Sequence, residues 1–281
     1  DLHMPSRRQR QMCIRDRKGE IVLDKCFNEA KKLESMFSLY KNDSLISQLN
    51  KYGEIHDYPK EFRDLIEIAL KFSKISNGAF DITVQPLWKL YEDFYTNNNN
   101  ANKVIKDSEI KNVLKKVDYK KVFIENNKIF FKGENMSITL NGIAQGYITD
   151  KVTELLASFG ISNTLVNMGE YRALGSKNNG EDWKIGIRNP DQTWKISQIL
   201  PMQNMSVATS GGYGHFFDRN IKAHHIFNPK SGKNDNFYKS VTVKAKTATV
   251  ADGLSTTLFA TNKKFHKQII NNFQNIEVIY I

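Results

Sequence analysis

The sequence predicts an α+β fold built from helices and antiparallel sheets. Helical and alternating apolar patterns follow one another without the strand–helix–strand regularity of a parallel sheet. With 281 residues, 40% of them hydrophobic, the chain can bury a sizeable core as one large domain or two closely packed lobes. No internal repeat or long linker divides it. We therefore expect residues 18–281 to form a single domain.

The amino-terminal third is predicted to be mainly helical. Apolar residues at helical spacing predict helices over residues 23–39 and 61–76, with a shorter helix over 45–50. Asn77 and Gly78 end the second long helix, because both tolerate left-handed backbone. Residues 79–84 are short and partly β-branched, which predicts a strand that stops before Pro86.

From residue 119 onward, alternating segments predict a strand-rich region. Strands are expected over 121–125, 128–132, 137–140, 164–168, 183–188, within 191–209, and over 240–246 and 278–281. Asn126 and Asn127 form the hairpin turn between the first two. Helices are expected over 148–159 and 249–260.

The first seventeen residues differ in composition from the rest of the chain. They contain five arginines, whereas the remainder uses lysine almost exclusively for positive charge. They hold no apolar core of a secretory signal. We expect residues 1–17 to be a non-native segment, and the native start, with any targeting signal, to be missing.

The net charge of +11 raises the question of a nucleic-acid partner. The lysines are scattered among Asp and Glu, without an arginine-rich stripe or interleaved aromatic residues, which favours a solvated basic surface. No apolar run approaches the roughly 20 residues that span a membrane. Cys13 and Cys26 form neither a metal cluster nor a disulfide framework. The scattered positive charge predicts no nucleic-acid partner.

Two segments more than a hundred residues apart carry the main chemical pattern. Residues 141–150 (NGIAQGYITD) have the glycine density of a loop that lets a ligand reach the main chain. Asp252 and Thr256 are four residues apart, so a helix presents both oxygens on one face. Such oxygen ligands suit a hard cation such as Mg²⁺ that also holds a substrate phosphate. A glycine turn and an ordinary helix start explain the same residues, and are preferred on these segments alone.

Other short segments offer weaker candidates. Asp81 follows a helix end, where it caps the backbone locally or reaches a rim. Residues 209–212 (TSGG) offer hydroxyls and amides to a phosphate. His224 and His225 point opposite ways on a strand, which leaves one as a phosphate donor or proton shuttle. Glu170 follows a strand end and is expected to be exposed. Walker, GxGxxG and GxSxG motifs are missing from the sequence.

Taken in order, eight segments resemble the ApbE family, the FAD:protein FMN transferases. They extend from the first predicted helix to the last, across nearly all of the chain after residue 23. They are residues 38–50 (SLYKNDSLISQLN), 78–87 (GAFDITVQPL), 141–152 (NGIAQGYITDKV), 165–170 (LVNMGE), 183–190 (WKIGIRNP), 207–213 (VATSGGY), 224–232 (HHIFNPKSG) and 240–259 (SVTVKAKTATVADGLSTTLF).

This resemblance implies an ApbE-like fold in two closely packed lobes and a Mg²⁺-dependent enzyme. Its reaction is transfer of FMN from FAD to a threonine hydroxyl of a target protein, which forms a phosphoester bond and releases AMP. The cation neutralises charge on the pyrophosphate while the threonine oxygen attacks the FMN-side phosphorus. The implied acceptor is a flavoprotein subunit of a membrane redox complex. The implied location is the bacterial periplasm or the outer face of the inner membrane, with a lipid anchor in the native protein.

The resemblance also assigns residues to roles. Metal ligands are expected at Asp252, Thr256 and the Gly142 carbonyl, whereas Ser255 stands where some members carry a further carboxylate and is expected to bind the metal weakly or not at all. Asp252 and His225 are the candidate catalytic residues, His225 through a contact to the phosphates. Tyr40 is expected to pack on the flavin. The remaining FAD contacts are expected at Ala79, Phe80, Asp81, Thr139, Gln145 and Ile226.

Three residues depart from the family pattern. Gln145 stands where a lysine or an acid is usual, and Thr139 where an aspartate is common. Glu170 replaces the second glycine of the usual strand-end pair. Two alternatives stay open. The resemblance also allows Mg²⁺-dependent hydrolysis of FAD to FMN and AMP, since some members of the family behave this way, and the substitutions at Thr139 and Gln145 are compatible with FAD binding without turnover.

Overall fold

The structure is a computed structural model that describes residues 17–96, 103–192, 194–218, 220, 223–235 and 237–281. Residues 1–16, nearly all of the segment expected to be non-native, lie outside the described residues. The described part of the chain forms eight α-helices and twelve β-strands, and its paired strands are antiparallel. The predicted α+β class is therefore confirmed.

The elements follow one another without a regular alternation. The helices are α1 (Arg17–Phe37), α2 (Leu45–Tyr52), α3 (Lys60–Ile75), α4 (Gln85–Thr96), α5 (Asp107–Leu114), α6 (Ala144–Ser158), α7 (Ala248–Phe259) and α8 (His266–Ile270). The strands are β1 (Glu54–His56), β2 (Val122–Glu125), β3 (Lys128–Phe131), β4 (Thr164–Asn167), β5 (Tyr171–Leu174), β6 (Trp183–Arg188), β7 (Ile196–Met202), β8 (Ser206–Ser210), β9 (Phe216–Asp218), β10 (Ala223–His224), β11 (Val241–Ala245) and β12 (Glu277–Tyr280).

A five-stranded sheet in the order β12–β11–β8–β5–β4 forms the centre of the fold. Its strands β8 and β11 are buried along almost their whole length. Helix α7 packs on these two strands, and α6 packs against both α7 and α1. Only Val250 and Thr256 of α7 are partly exposed, as expected for a helix enclosed on nearly all sides. This enclosure holds α7 and its polar residues in a rigid setting.

Three smaller sheets surround this centre, in the orders β1–β3–β2, β6–β7 and β9–β10. Separate apolar clusters attach two of them to the rest. Helices α4 and α5 pack with the strand pair β9–β10 around Leu87, Tyr91 and Phe227. The β6–β7 hairpin packs on the central sheet through Ile185, Leu200 and neighbouring side chains. In the described residues, no helix has the length and apolar composition needed to cross a membrane.

Most long elements agree with the sequence prediction. The helices expected over 23–39, 45–50, 61–76, 148–159 and 249–260 correspond to α1, α2, α3, α6 and α7. The strands expected over 121–125, 128–132, 164–168, 183–188, 240–246 and 278–281 correspond to β2, β3, β4, β6, β11 and β12, and residues 191–209 contain β7 and β8. Helix α5 and the short strands β1, β5, β9 and β10 are not anticipated by any strong periodicity.

The strand predicted over 137–140 is wrong. Ile138 and Leu140 are buried as a strand pattern requires, but the backbone pairs with a side chain instead of a neighbouring strand. The Asn50 side chain donates to the Ile138 carbonyl oxygen over 2.8 Å and accepts from its N–H over 2.7 Å. One amide thus satisfies both backbone groups of Ile138, and the Thr139 N–H donates to the Ile82 carbonyl oxygen over 2.8 Å.

The strand predicted over 79–84 is also wrong. A short 3₁₀ helix covers Ile82–Val84 and leads directly into α4. Pro86 does not end this segment, because it lies in the first turn of α4, where a missing N–H costs nothing. The Asp81 carboxylate starts the turn by accepting the Thr83 N–H over 2.8 Å. The helical course of α4 brings Trp88 towards the site described next.

Candidate active site

A cleft lies where the loop after α3, the start of α6, the end of β8 and the middle of α7 meet. Ten of the twelve residues expected at the FAD and metal site line it. They are Ala79, Phe80, Asp81, Thr139, Gly142, Gln145, His225, Ile226, Asp252 and Thr256. Segments far apart in the sequence therefore converge on one site.

The α6–α7 contact positions Asp252. One carboxylate oxygen of Asp252 accepts the Gly146 backbone N–H over 2.9 Å. A Cβ at position 146 would lie 2.3 Å from the Ala248 carbonyl oxygen, so only glycine allows the two helices to approach this closely. The second carboxylate oxygen of Asp252 has no hydrogen-bond donor among the described residues, although the side chain is only 6% exposed. Asp252 thus presents to the cleft one carboxylate oxygen without a hydrogen-bond donor among the described residues.

Asp150 on α6 fixes the first turn of α7. Its two oxygens accept the backbone N–H groups of Ala248 and Thr249, each over 2.8 Å. Arg172 on β5 donates to the same carboxylate over 2.6 Å. An acidic side chain at a helix amino terminus satisfies free N–H groups and complements the helix dipole. Asp150 therefore acts as a positioning residue, which the sequence reasoning missed.

Thr256 lies one helical turn after Asp252 and also faces the cleft. The Ser210 hydroxyl at the end of β8 lies 3.2 Å from the Thr256 Oγ1 atom and 2.8 Å from the Ser255 Oγ atom. Ser255 is fully buried, and its hydroxyl donates to the Asp252 carbonyl oxygen over 3.0 Å. The structure therefore places Ser255 behind the cleft wall and not among the residues that line it.

Gly142 brings backbone to the same point. A Cβ at this position would lie 3.0 Å from Thr256 Cγ2 and 3.2 Å from the Phe80 ring. The main chain consequently runs directly beside the Thr256 side chain. Asp252, Thr256 and Gly142 thus bring a carboxylate, a hydroxyl and backbone to one cleft, and oxygen donors of this kind fit Mg²⁺. The described residues contain no group of three or more His, Cys, Asp or Glu that suits a metal ion.

Asp81 and Thr139 line the cleft but also hold local turns. Asp81 accepts the Thr83 hydroxyl over 2.6 Å and the Tyr119 N–H over 3.1 Å, and burial raises the pKa of its carboxyl. Thr139 accepts the Asn141 N–H on its hydroxyl over 3.2 Å. The local capping expected as an alternative for Asp81 is therefore present in the structure.

The two adjacent histidines face different surroundings, as predicted. His224 is 1% exposed and packs on the Phe259 ring at 5.5 Å between centroids. His225 lines the cleft, and its Nδ1 atom lies 3.0 Å from the His215 carbonyl oxygen. Because a carbonyl only accepts, Nδ1 carries the proton and Nε2 is the acceptor nitrogen. Burial lowers the pKa of His225, which favours this neutral ring.

The prediction that Glu170 is exposed is wrong. Glu170 is partly buried and lines the cleft. Burial, together with the neighbouring Asp252 carboxylate, raises the pKa of Glu170 well above its usual value. Burial likewise raises the pKa of Asp252. The tight turn between β4 and β5 places the side chain in the lining of the cleft.

Tyr40 is not brought to the cleft. It is 60% exposed and is absent from the residues that line the site. Partial burial and the charge of Glu92 on α4 raise the pKa of its hydroxyl. Trp88, one turn earlier on α4, lines the cleft and stacks on His215 with 6.0 Å between ring centroids. The sequence reasoning missed Trp88 because it did not predict α4.

The charge of the cleft differs from that of the whole protein. The chain contains 41 Lys and Arg residues, but in the described part of the structure none of them lines this cleft. Asp81, Glu170 and Asp252 contribute three carboxyl groups, and His225 is the one basic side chain among the described lining residues. An anionic ligand therefore needs a cation to bind here.

Comparison with known proteins agrees with this architecture. A family model described as the ApbE family matches residues 8–280. A protein named FAD:protein FMN transferase from Haemophilus influenzae is 30% identical over 242 residues, which cover 82% of this chain and 69% of that protein. Another of the same name, from Treponema pallidum, is 26% identical and covers 92% of this chain and 76% of that protein.

Solved structures share the fold. An ApbE protein from Thermotoga maritima superposes with a TM-score of 0.84 at 28% identity, covering 95% of this chain and 88% of that one. The flavin transferase ApbE from Vibrio cholerae gives a TM-score of 0.79 at 25% identity, covering 97% and 87% respectively. The match of a family model across nearly the whole sequence, together with these folds, shows that the chain belongs to the ApbE family.

Proposed function

We propose that this chain is an FAD:protein FMN transferase that uses Mg²⁺ to transfer FMN from FAD to a threonine hydroxyl and releases AMP. The relatives named for this activity support the proposal. The observation that carries it is the all-oxygen group of Asp252, Thr256 and Gly142 in a cleft whose described lining has no Lys or Arg. A pyrophosphate bound there needs a metal cation to balance its charge.

The cleft offers FAD two kinds of surface, one of aromatic rings and one of oxygen donors. Phe80, Trp88 and Tyr213 present aromatic rings, which suit the flat ring systems of FAD. Asp252, Thr256 and the Gly142 backbone would hold the cation. Mg²⁺, when bound, supplies positive charge that stabilises the phosphate oxygens as the bond to AMP breaks.

His225 is suited to handle the proton of the acceptor threonine. Its Nδ1–H is held by the His215 carbonyl, so its Nε2 lone pair is available for a proton. In the proposed step, the threonine oxygen bonds to the FMN-side phosphorus while the bond from that phosphorus to the AMP oxygen breaks. The threonine proton moves to His225 Nε2, and AMP leaves with the electron pair of the broken bond.

The test is AMP release from FAD with Mg²⁺, with and without a flavin-acceptor protein. We expect AMP only when acceptor and cation are both present, and none with Asp252→Ala. AMP without acceptor indicates FAD hydrolysis instead. Tight FAD binding with no AMP after long incubation indicates a binding protein without turnover.

The acceptor and its location are part of the proposal. Family resemblance supports a flavoprotein subunit of a membrane redox complex, in the bacterial periplasm or at the outer face of the inner membrane. Fractionation of cells that express the native gene, followed by detection of the protein and of covalent flavin, tests this location. Recovery of both in the cytoplasm contradicts it.

A further inference from the structure

Glu170 is held at the cleft by three surrounding elements. It lies between β4 and β5, directly after Gly169, whose φ of 112° suits glycine. Its backbone carbonyl accepts from the Met168 N–H over 3.3 Å and lies 3.5 Å from the Thr149 hydroxyl on α6. These contacts fix the backbone at position 170, and the Glu170 side chain lines the cleft.

Glu170 lies close to the proposed metal donors. Gly169 packs against the Gln145 side chain, and Gly146, which follows Gln145 in the sequence, donates its backbone N–H to Asp252 over 2.9 Å. Asp252 retains one oxygen without a hydrogen-bond donor among the described residues, and Glu170, Asp252 and Thr256 all line the cleft. Two carboxylates thus approach one space beside the Thr256 hydroxyl.

No basic side chain described in the structure neutralises this pair. Gln145 covers the turn before Glu170: a Cβ on Gly169 would lie 1.9 Å from the Gln145 amide nitrogen. At this point the chain therefore has a neutral amide. A buried carboxylate and a partly buried one without a cationic partner are costly, and a bound cation removes that cost. Asp81, the third carboxylate, already accepts three hydrogen bonds.

We propose that Glu170 is a second carboxylate ligand of the divalent cation held by Asp252, Thr256 and Gly142. This inference rests on the proposed function, since it extends the same metal site. Two carboxylates, a hydroxyl and a carbonyl supply enough protein oxygens to bind the cation before FAD contributes its phosphates. The chain should therefore bind a divalent cation in the absence of FAD, and Glu170 should increase that affinity.

Manganese binding to the metal-free chain tests this directly. Mn²⁺ prefers the same oxygen ligands as Mg²⁺, and its free form gives an electron paramagnetic resonance signal. Titration without FAD should show one bound Mn²⁺ that Mg²⁺ displaces. We expect Glu170→Gln and Glu170→Gly to weaken Mn²⁺ binding by roughly 10-fold or more, the loss typical even for residues outside the ligand shell.

A matched control separates ligation from a general change of charge. Glu134 is exposed and does not line the cleft, so Glu134→Gln removes the same charge elsewhere and should leave the affinity unchanged. Gln145→Lys should also weaken Mn²⁺ binding, because an ammonium beside Glu170 competes with the cation. Circular dichroism of each metal-free variant verifies that it is folded, and Glu170→Gly is the variant that restores the usual family residue.

The outcomes separate this inference from the proposed function. If Asp252→Asn abolishes Mn²⁺ binding while Glu170→Gln and Glu170→Gly bind as the unmodified chain does, Glu170 is not a ligand and the proposed function stands. Tighter binding by Glu170→Gln also overturns the inference, since it shows that the two carboxylates share a proton. If the chain binds no Mn²⁺ with or without FAD, and AMP release needs no cation, both the inference and the proposed metal-dependent function fail.

Discussion

The two walls of the cleft are built by different physical means. The wall formed by α6 and α7 is held by buried hydrogen bonds. The Gly146 N–H donates to the Asp252 carboxylate, and two backbone N–H groups at the start of α7 donate to the Asp150 carboxylate. The opposite wall, around Trp88 on α4, is held by ring packing with His215 and Phe217. Hydrogen-bond geometry fixes oxygen positions tightly, whereas packed rings provide a broad apolar surface. The first wall suits a metal and phosphates, and the second suits flat rings.

Asp252→Ala should give the largest difference between the effects on the two walls, because it should reduce AMP formation strongly and riboflavin binding little. Loss of the carboxylate removes the proposed cation, whose transition-state stabilisation of several kcal/mol corresponds to roughly 100-fold to 1,000-fold in rate. Ring contacts are untouched, so binding of riboflavin, which lacks the phosphates, should change little. AMP formation and flavin fluorescence quenching measure the two effects. Equal loss of both signals contradicts the division between the walls.

Gly146→Ala tests how closely the first wall is packed. The added methyl would meet the Ala248 carbonyl oxygen at 2.3 Å, so the helices must move apart. We expect the free energy of unfolding to fall by about 3 kcal/mol, at the upper end of overpacking costs. Urea denaturation measures this. Gly180→Ala is the control: no atom lies within 4 Å of the added carbon, and its φ of 83° alone should cost about 1 kcal/mol.

Trp88→Ala should act on the second wall alone. Loss of an aromatic face should weaken FAD binding by roughly 10-fold, the scale of one stacking contact. Cation affinity measured by Mn²⁺ titration should stay within about 2-fold, because no metal donor contacts this ring. A matched Trp183→Ala variant removes an indole from β6, which does not line the cleft. If Trp88→Ala and Trp183→Ala weaken FAD binding equally, the specific role of Trp88 fails.

Substitution of His225 should have the mildest effect, a change in the pH dependence of the transfer rate. Burial lowers its pKa, so the neutral ring that accepts a proton persists below the usual histidine pKa of about 6.5. At saturating Mg²⁺, transfer should therefore remain active at pH 6.5 and fall only at lower pH. His225→Gln should reduce the rate and flatten this acid limb. If the rate of the variant falls at low pH as the rate of the unmodified chain does, the group that titrates is not His225.

The contrast between the walls also explains what the sequence could predict. Asp252, Thr256 and Gly142 lie in segments with recognisable spacing and glycine content. The family resemblance assigned all three residues to one site. The structure places all three on one cleft. Local patterns sufficed there because the oxygens belong to a regular helix and a glycine loop.

The second wall could not be predicted in the same way. Trp88 depends on α4, and Pro86 looked like the end of a strand instead of the first turn of a helix. The backbone near Ile138 pairs with Asn50, a partner 88 residues away that no periodicity reveals. Glu170 was expected at the surface, but the turn between β4 and β5 places it in the lining of the cleft. Such tertiary contacts override local preference.

Transfer of FMN to a protein can be measured as the mass of an acceptor protein incubated with the chain, FAD and Mg²⁺. We expect the acceptor to gain the mass of one FMN on a threonine, with one AMP released for each FMN attached. Replacing that threonine by valine, or using Asp252→Ala, should abolish the gain. AMP formed without any gain in acceptor mass, or a gain that survives Asp252→Ala, would contradict the account.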